Sequence, residues 1–437
     1  MDTNILIGVI GLVAFLILLF CGLPVSFSMM AVGVFGSMFL LRTPSSAFSI
    51  LSDSFLATFT GYTTAVAPMF MLMGDLAGES GLGSDLFGAA QKLVGHKRGG
   101  LASAVQFVCA LFGAICGSAG ATAAMMGRVA YPEMKKYGYK SELSTACIAS
   151  GASLSILIPP SLPLITYGIV TEESIGQLFV AGILVGIVLM VLFIIAIRIW
   201  ASIDKSIAPV AEKAAFTEKI KAIRRGGFIE LLLVFGIAMG GLFAGWFTPT
   251  EAGAVGIAGM SIVCIVFNRF SFRVLKRAIT NTMVMSAMIY LLLAGSTAYG
   301  RFFTLSRIPM ALGSWVTELA LPPVLIVACI TIMYLILGCV IDAMPLMLLT
   351  IPMFYPIVTG LGYSGLWFGV FLVVVVSMGA VTPPVGMSCY IVSGVVKDVP
   401  LQKIFKGSWP FVIAFLVMCL LLAIIPEIAT RLPSLIG

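Results

Sequence analysis

Histidine is all but missing from this chain: His96 is the only one in 437 residues, and it sits in a basic loop. That argues against a histidine-based metal site and against histidine-dependent acid–base catalysis. Cysteine is present but chemically silent. Cys21, Cys109, Cys116, Cys147, Cys264, Cys329, Cys339, Cys389 and Cys419 all lie in apolar stretches without metal-ligand spacing, so they read as small packing residues. There is no Gly-x-x-x-x-Gly-Lys-Ser/Thr loop, so the chain carries no P-loop signature for ATP. There is no paired nucleophile and base, which leaves no basis for an intramembrane enzyme. Charge is scarce as well: 10% of residues are charged against 60% hydrophobic, which excludes a soluble domain.

What is present is a series of apolar runs of membrane-spanning length, the pattern of an all-α polytopic membrane protein embedded in lipid. The first run, Ile5 to Phe20, has Asp2 and no basic residue ahead of it and no Ala-x-Ala-like exit, so it is expected as a retained span. The net charge of +7 follows from where the cations lie. They cluster at Lys92/Lys97/Arg98, Lys135/Lys136/Lys140, Lys205 to Arg225, Arg269/Arg273/Lys276/Arg277 and Lys397/Lys403/Lys406, while Arg42, Arg301, Arg307 and Arg431 stand alone. Five cytoplasmic clusters would satisfy the positive-inside rule, so nucleic-acid binding is not required.

One block occurs twice. Tyr131, Pro132, Gly138 and Tyr139 return as Tyr355, Pro356, Gly362 and Tyr363, and Pro159-Pro160 return as Pro383-Pro384, each pair 224 positions apart. Internal duplication around paired prolines is a pattern of secondary transporters. Threading spans between the basic loops predicts crossings at 4–21, 23–41, 55–77, 145–170 and 176–203, with 101–130 as a hairpin that enters and leaves by one face. Five crossings turn the second repeat upside down. It is then expected at 228–246, 250–268, 279–298, a hairpin at 323–355, 365–396 and 409–430. The first repeat is thus 1–203, a cytoplasmic linker covers 204–227, and the second repeat is 228–437, with both termini on the outer side. Trp200 and Trp409 fall at inner span ends, and Trp246, Trp315 and Trp367 at outer ends. Segments 83–95 and 307–320 are expected to be amphipathic and interfacial.

Chemistry concentrates at two places per half. Gly113-Ala-Ile-Cys-Gly-Ser-Ala-Gly-Ala-Thr122 is a run of small residues that suits either exposed backbone or close helix packing. Its partner, Ser153-Leu-Ser-Ile-Leu-Ile-Pro-Pro-Ser161, places two prolines in mid-span, which removes two amide donors and breaks the helix. Carbonyls freed inside a membrane need a polar partner, which a cation or a water-lined cavity supplies. In the second half Ser118 becomes Asp342, within Gly338-Cys-Val-Ile-Asp-Ala-Met-Pro345, and the break becomes Ala380-Val-Thr-Pro-Pro-Val-Gly386. A carboxylate there costs about 2.5–3.5 kcal/mol on insertion scales, so Asp342 is expected to support a cation or ligand site, to cap the hairpin turn, or both. Asp75, Glu79 and Glu230 sit near inner span ends where caps and interfaces are common. Glu251, in Phe247-Thr-Pro-Thr-Glu-Ala252, suits a helix start with Pro249 in the first turn.

Those blocks, together with Met126-Gly-Arg-Val-Ala-Tyr-Pro-Glu-Met134, Tyr137-Gly-Tyr139 and Ile158-Pro-Pro-Ser161, closely resemble the large membrane subunit of tripartite ATP-independent periplasmic (TRAP) transporters over essentially the whole chain. The first hairpin reads Cys-Gly-Ser-Ala-Gly where the family is often richer in serine. The resemblance implies an inverted-repeat, elevator-type transporter with two re-entrant helical hairpins and broken helices, in a bacterial inner membrane, that imports a small organic anion, carboxylate or sulfonate, with sodium. It implies two separate partner chains, a small four-helix membrane subunit and a periplasmic substrate-binding protein. Two Na⁺ sites are expected: one around Gly117, Ser118 and Gly120 with Ile158, Pro159 and Ser161, the other around Gly338 and Asp342 with Thr382, Pro383 and Gly386. Ser118, Thr122, Ser161, Thr382 and Pro384 are expected to face the substrate. A self-sufficient sodium/dicarboxylate carrier would share the hairpins and repeats. A channel would need a continuous polar lining, which the spans lack.

Overall fold

A computed structural model describes residues 3–210, 215–225, 227–318 and 321–435. Positions 211–214 and 226 of the expected linker and both chain ends lie outside the described residues.

The first half runs α1 (Thr3–Phe20), α2 (Val25–Leu41), α3 (Pro44–Thr60), α4 (Val66–Glu79), α5 (Leu82–Val94), α6 (Gly100–Cys116), α7 (Ala119–Lys136), α8 (Ser141–Ala152), α9 (Leu162–Thr171) and α10 (Ile175–Ile203). A short α11 (Phe216–Arg225) follows. The second half runs α12 (Phe228–Phe243), α13 (Pro249–Val266), α14 (Phe272–Ser306), α15 (Ile308–Glu318), α16 (Pro323–Gly338), α17 (Ala343–Gly360), α18 (Gly365–Gly379), α19 (Met387–Val395), α20 (Leu401–Ile424) and a final turn, α21 (Glu427–Thr430). Among the described residues α1, α10, α13, α14, α17 and α20 are each long and apolar enough to cross a membrane.

Side-chain caps explain several of the starts. Thr248 and Glu251 close a reciprocal capping box on α13 with Pro249 in its first turn, the role read for Glu251 from sequence. Ser118, Ser161, Ser174 and Ser271 accept first-turn amides at α7, α9, α10 and α14. Both duplicated breaks are real: α8 passes through a 3-10 turn to a cis Pro159-Pro160 bond before α9, and α18 ends before a cis Pro383-Pro384 bond and α19.

Four expectations are corrected. The crossing at 55–77 is not continuous, because α3 and α4 meet at a 60° bend. Pro68 has no amide to bond the carbonyl of Thr64, which instead accepts the Tyr290 hydroxyl at 3.2 Å, and Thr64 Oγ1 donates to the Thr58 carbonyl at 2.8 Å. Its counterpart at 279–298 is the middle of an unbroken 35-residue α14, roughly 52 Å long, whose basic first turns exceed the bilayer core of about 30 Å. The last crossing is shifted from 409–430 to Leu401–Ile424, with Pro410 tolerated inside the helix and Pro426 opening α21. Finally, Trp367 is no interfacial anchor. It is fully buried, donates to the Leu422 carbonyl at 2.8 Å and stacks on Tyr363 and Phe371. Trp246, Trp315 and Trp409 are exposed. Seven of the nine cysteines are buried and all are free, consistent with packing.

The helices sort into two groups by what they touch. α14 lies along α2 and α4, and α4 lies along α13. In the other group α7 packs on α8 and α19, while α17 packs on α18 and α9. The second arm of each hairpin, α7 and α17, therefore touches the broken helix of both halves.

Candidate functional site

In the first half the turn between α6 and α7 rests directly on the proline break. Gly117 adopts φ +60°, and a Cβ there would stand 2.7 Å from the Pro160 carbonyl oxygen, so only glycine lets the tip close on the break. Gly113 is pressed as closely on Ser155, where a Cβ would meet the Cα at 2.3 Å. Ser118 caps α7 by accepting the Ala121 amide at 3.4 Å, and its carbonyl accepts the Thr122 hydroxyl at 2.9 Å. Ser161, fully buried, caps α9 by accepting the Leu164 amide at 3.3 Å and donates to the Ile156 carbonyl. Gly117, Ser118, Pro159 and Ser161 are thus gathered at one junction. Ile158 beside them packs on Gly186 of α10, and Gly120 turns the other way, toward Ile391 of α19.

The second half repeats the contact with different atoms. A Cβ on Gly379 would stand 2.7 Å from the Gly338 carbonyl carbon, and the Gly386 amide, at φ +53°, donates to the Cys339 carbonyl at 3.3 Å. Thr382 is buried and donates to the Met378 carbonyl at 2.6 Å. Asp342 stands at the N-cap position of α17. Its carboxylate makes no side-chain cap hydrogen bond. Pro383 and Pro384 hold the break that follows Thr382.

The donors at both junctions are carbonyl and hydroxyl oxygens, hard ligands suited to an alkali cation. Among the described residues no group of three or more His, Cys, Asp and Glu could hold a metal.

Sequence reasoning missed the ties between halves. The Tyr131 hydroxyl of α7 donates to Asp398 Oδ2 at 3.0 Å, just past α19, and Lys135 pairs with the same carboxylate. Tyr355 of α17 donates to Glu173 Oε1 at 2.8 Å, just past α9, and Tyr167 of α9 donates to the Gly365 carbonyl at 2.6 Å. Lys135 holds the Asp398 carboxyl below its ordinary value. The duplicated tyrosines were the available signal; their partners carry no motif. Elsewhere Asp75 accepts the Thr282 hydroxyl at 2.8 Å and Glu79 pairs with Arg277 at 3.6 Å, so two of the end-of-span acids bind α4 to α14.

A cavity of about 830 Å³ separates α3 and α14 from α9 and α17. Its polar lining includes Thr58, Thr171, Glu172, Ser296, Arg301 and Tyr355, and Arg301 pairs with Asp53 at 3.6 Å.

Discontinuous helices and glycine-closed hairpins inside an all-α multi-pass membrane fold define a secondary transport protein. The fold resembles that of the Alcanivorax borkumensis YdaH transporter, described as having an unusual topology, at a TM-score of 0.64 and 15% identity over 89% of this chain and 90% of that one. The family "Tripartite ATP-independent periplasmic transporter, DctM component" matches residues 12–428, and the chain belongs to it as a large membrane subunit. It is 31% identical to the C4-dicarboxylate TRAP transporter large permease protein DctM of Pseudomonas aeruginosa, over 93% of this chain and 94% of that protein. It is 30% identical to the sialic acid TRAP transporter large permease protein SiaM of Vibrio cholerae, over 96% of each. It is 28% identical to the ectoine/5-hydroxyectoine large permease UehC of Ruegeria pomeroyi, over 96% and 97%.

Proposed function

We propose that this chain carries a small organic anion inward across the bacterial inner membrane by sodium-coupled elevator transport, receiving it from a periplasmic binding protein while a small four-helix membrane subunit braces the scaffold. The observation that carries this reading is the seating of each hairpin tip on a proline break, Gly117 on Pro160 and Gly338 on Gly379. Half-helix ends at such a junction offer carbonyls to Na⁺ and amide dipoles to an anion, so one geometry serves both. The two halves are inverted repeats, and the unit of α6 to α9 and α16 to α19 moves as the carrier. α1 to α4 and α12 to α14 form the scaffold, extending the static part beyond the first two spans of each half because α14 packs along α2.

The energetics suffice without ATP. One charge crossing 100 mV is worth about 2.3 kcal/mol, and each tenfold sodium gradient adds about 1.4 kcal/mol. Two co-transported Na⁺ would drive steep accumulation.

The relatives are named for C4-dicarboxylates, sialic acid and ectoines, a range wide enough that selectivity is assigned mainly to the binding protein. The decisive experiment reconstitutes the chain with its two cognate partners in liposomes and follows labelled anion on imposing an inward sodium gradient. Uptake that needs sodium and both partners supports the proposal. Robust uptake by the chain alone would make it a self-sufficient carrier, and uptake indifferent to sodium would overturn the coupling. For the elevator itself, α17 meets α14 where a Cβ on Gly300 would stand 3.3 Å from Pro352. A disulfide in Gly300→Cys with Pro352→Cys should stop uptake and release it on reduction.

A further inference from the structure

Two cavities meet at Phe107 along the seam of α6 and α10, one closed by α12 and the other by α5 and the loop that follows it. The deeper, about 310 Å³, is wholly apolar and is walled by Phe107, Leu111, Ile158, Ile187, Met190 and Leu232. The shallower, about 210 Å³, opens among Lys97, Arg98 and Arg198. Phe107 lines both, and its ring stacks on Phe228 of α12 at 6.2 Å, so one slot runs from a basic mouth to an apolar floor.

The mouth is built, not incidental. Gly99, at φ +67°, brings the basic loop onto α10, where a Cβ would stand 2.8 Å from the Ile197 side chain, one residue from Arg198. Among the described residues no carboxylate lines either cavity, and none of the three cations is in an ion pair. From Arg198 down to Ile187 along α10 is roughly 16 Å at the helical rise, about half of a bilayer core of about 30 Å. The slot is therefore as deep as one leaflet, charged where headgroups lie and dry where acyl chains lie.

We propose that this slot binds one anionic glycerophospholipid, with its phosphodiester held by Lys97, Arg98 and Arg198 and an acyl chain lying over Phe107 between α6, α10 and α12. Cations clustered between membrane helices at headgroup level bind such phosphates, and an apolar slot of this shape has no other satisfied occupant than hydrocarbon. The lipid sits where the α6/α10 pair meets α12, and it does so whatever solute the chain carries.

The test uses the purified full-length chain in detergent with a phosphatidylglycerol bearing a photoactivatable acyl chain, followed by peptide mapping. Adducts are expected within 107–115, 183–194 and 228–235. Excess phosphatidylglycerol should remove them, whereas phosphatidylcholine of the same chains and inorganic phosphate should not. Lys97→Ala/Arg98→Ala/Arg198→Ala should lower the yield by roughly tenfold or more. These side chains are exposed, so the fold is spared. Ala114→Phe, which fills the floor, should remove the deep adducts with the cations intact. Equal competition by phosphatidylcholine, or an unchanged yield in the triple variant, would reduce the slot to ordinary lipid contact. Competition by phosphate alone would make the mouth a small-anion site and overturn the lipid assignment.

Discussion

Tyr131 and Tyr355, 224 positions apart, make the same kind of bond: each donates its hydroxyl to a carboxylate just beyond the broken helix of the opposite half, Asp398 at 3.0 Å and Glu173 at 2.8 Å. Two hairpins are thereby tied crosswise to two breaks. The ties join the hairpins of each half to the broken helices of the other, as the proposed rigid-body carrier would require.

Removing either tie should loosen that unit. Tyr355→Phe and Glu173→Gln should each lower stability by about 0.5–1.5 kcal/mol, the worth of one such hydrogen bond, and the double variant should cost little more than either alone. A double-mutant cycle by thermal unfolding in detergent measures the coupling. Strict additivity would show that the two side chains do not act on each other.

The glycine contacts give a sharper contrast. Gly117→Ala combines a left-handed backbone with a Cβ 2.7 Å from the Pro160 oxygen, and Gly379→Ala drives a methyl into Gly338. Each should cost about 1–3 kcal/mol by overpacking and blunt the sodium dependence of uptake. Gly88→Ala, with nothing within 4 Å, is the control and should be neutral or slightly stabilising. Equal behaviour of all three variants would remove the tip-on-break contact from the mechanism.

Asp342→Ala should leave folding and assembly intact while weakening the sodium response, because its carboxylate closes no cap whose loss would unravel α17. Sodium titration of uptake and sodium-induced thermal shift are the two readouts. Wild-type values in both would move the second cation site elsewhere.

The linker offers a topological test. Ser206→Cys in a cysteine-free background should resist a membrane-impermeant maleimide in intact cells and react after permeabilisation. Strong labelling of intact cells would invert the orientation and, with it, the direction assigned to transport.

Next to that residue lies a pH-dependent contact. Lys140 donates to Asp204 at 2.7 Å, and with Ser206 it holds the carboxyl down to about 2 from 3.8. A depressed folded value means the contribution is complete above about pH 4 and is lost as pH falls through about 2. Asp204→Asn should therefore lower the unfolding temperature slightly above about pH 4 and converge with wild type as pH falls through about 2, which flattens the acid limb in that window. An acid limb identical to wild type would show that the contact contributes nothing measurable.

Much of this protein is legible in its sequence, for local reasons. Apolar runs without charge can only be membrane helices, because unpaired backbone is too costly in lipid. Duplicated Pro-Pro pairs break helices wherever they stand, and Thr248-Pro-Thr-Glu251 writes its own cap. Small residues around Gly117 marked the first hairpin tip, and the repeat that sets Asp342 opposite Ser118 marked the second. What the sequence could not determine depended on neighbours far along the chain. The 60° bend between α3 and α4 arises where Tyr290 satisfies the carbonyl left over by Pro68, a partner more than 200 residues away. Trp367 carries an interfacial composition, yet it is buried because Leu422, Tyr363 and Phe371 enclose it. The acids that meet Tyr131 and Tyr355 lie in loops with no signature of their own. Periodicity, prolines and caps act within a few residues and so are written in the sequence; the partner of a hydroxyl, a carbonyl or a glycine face is chosen by packing, and only the tertiary structure decides it.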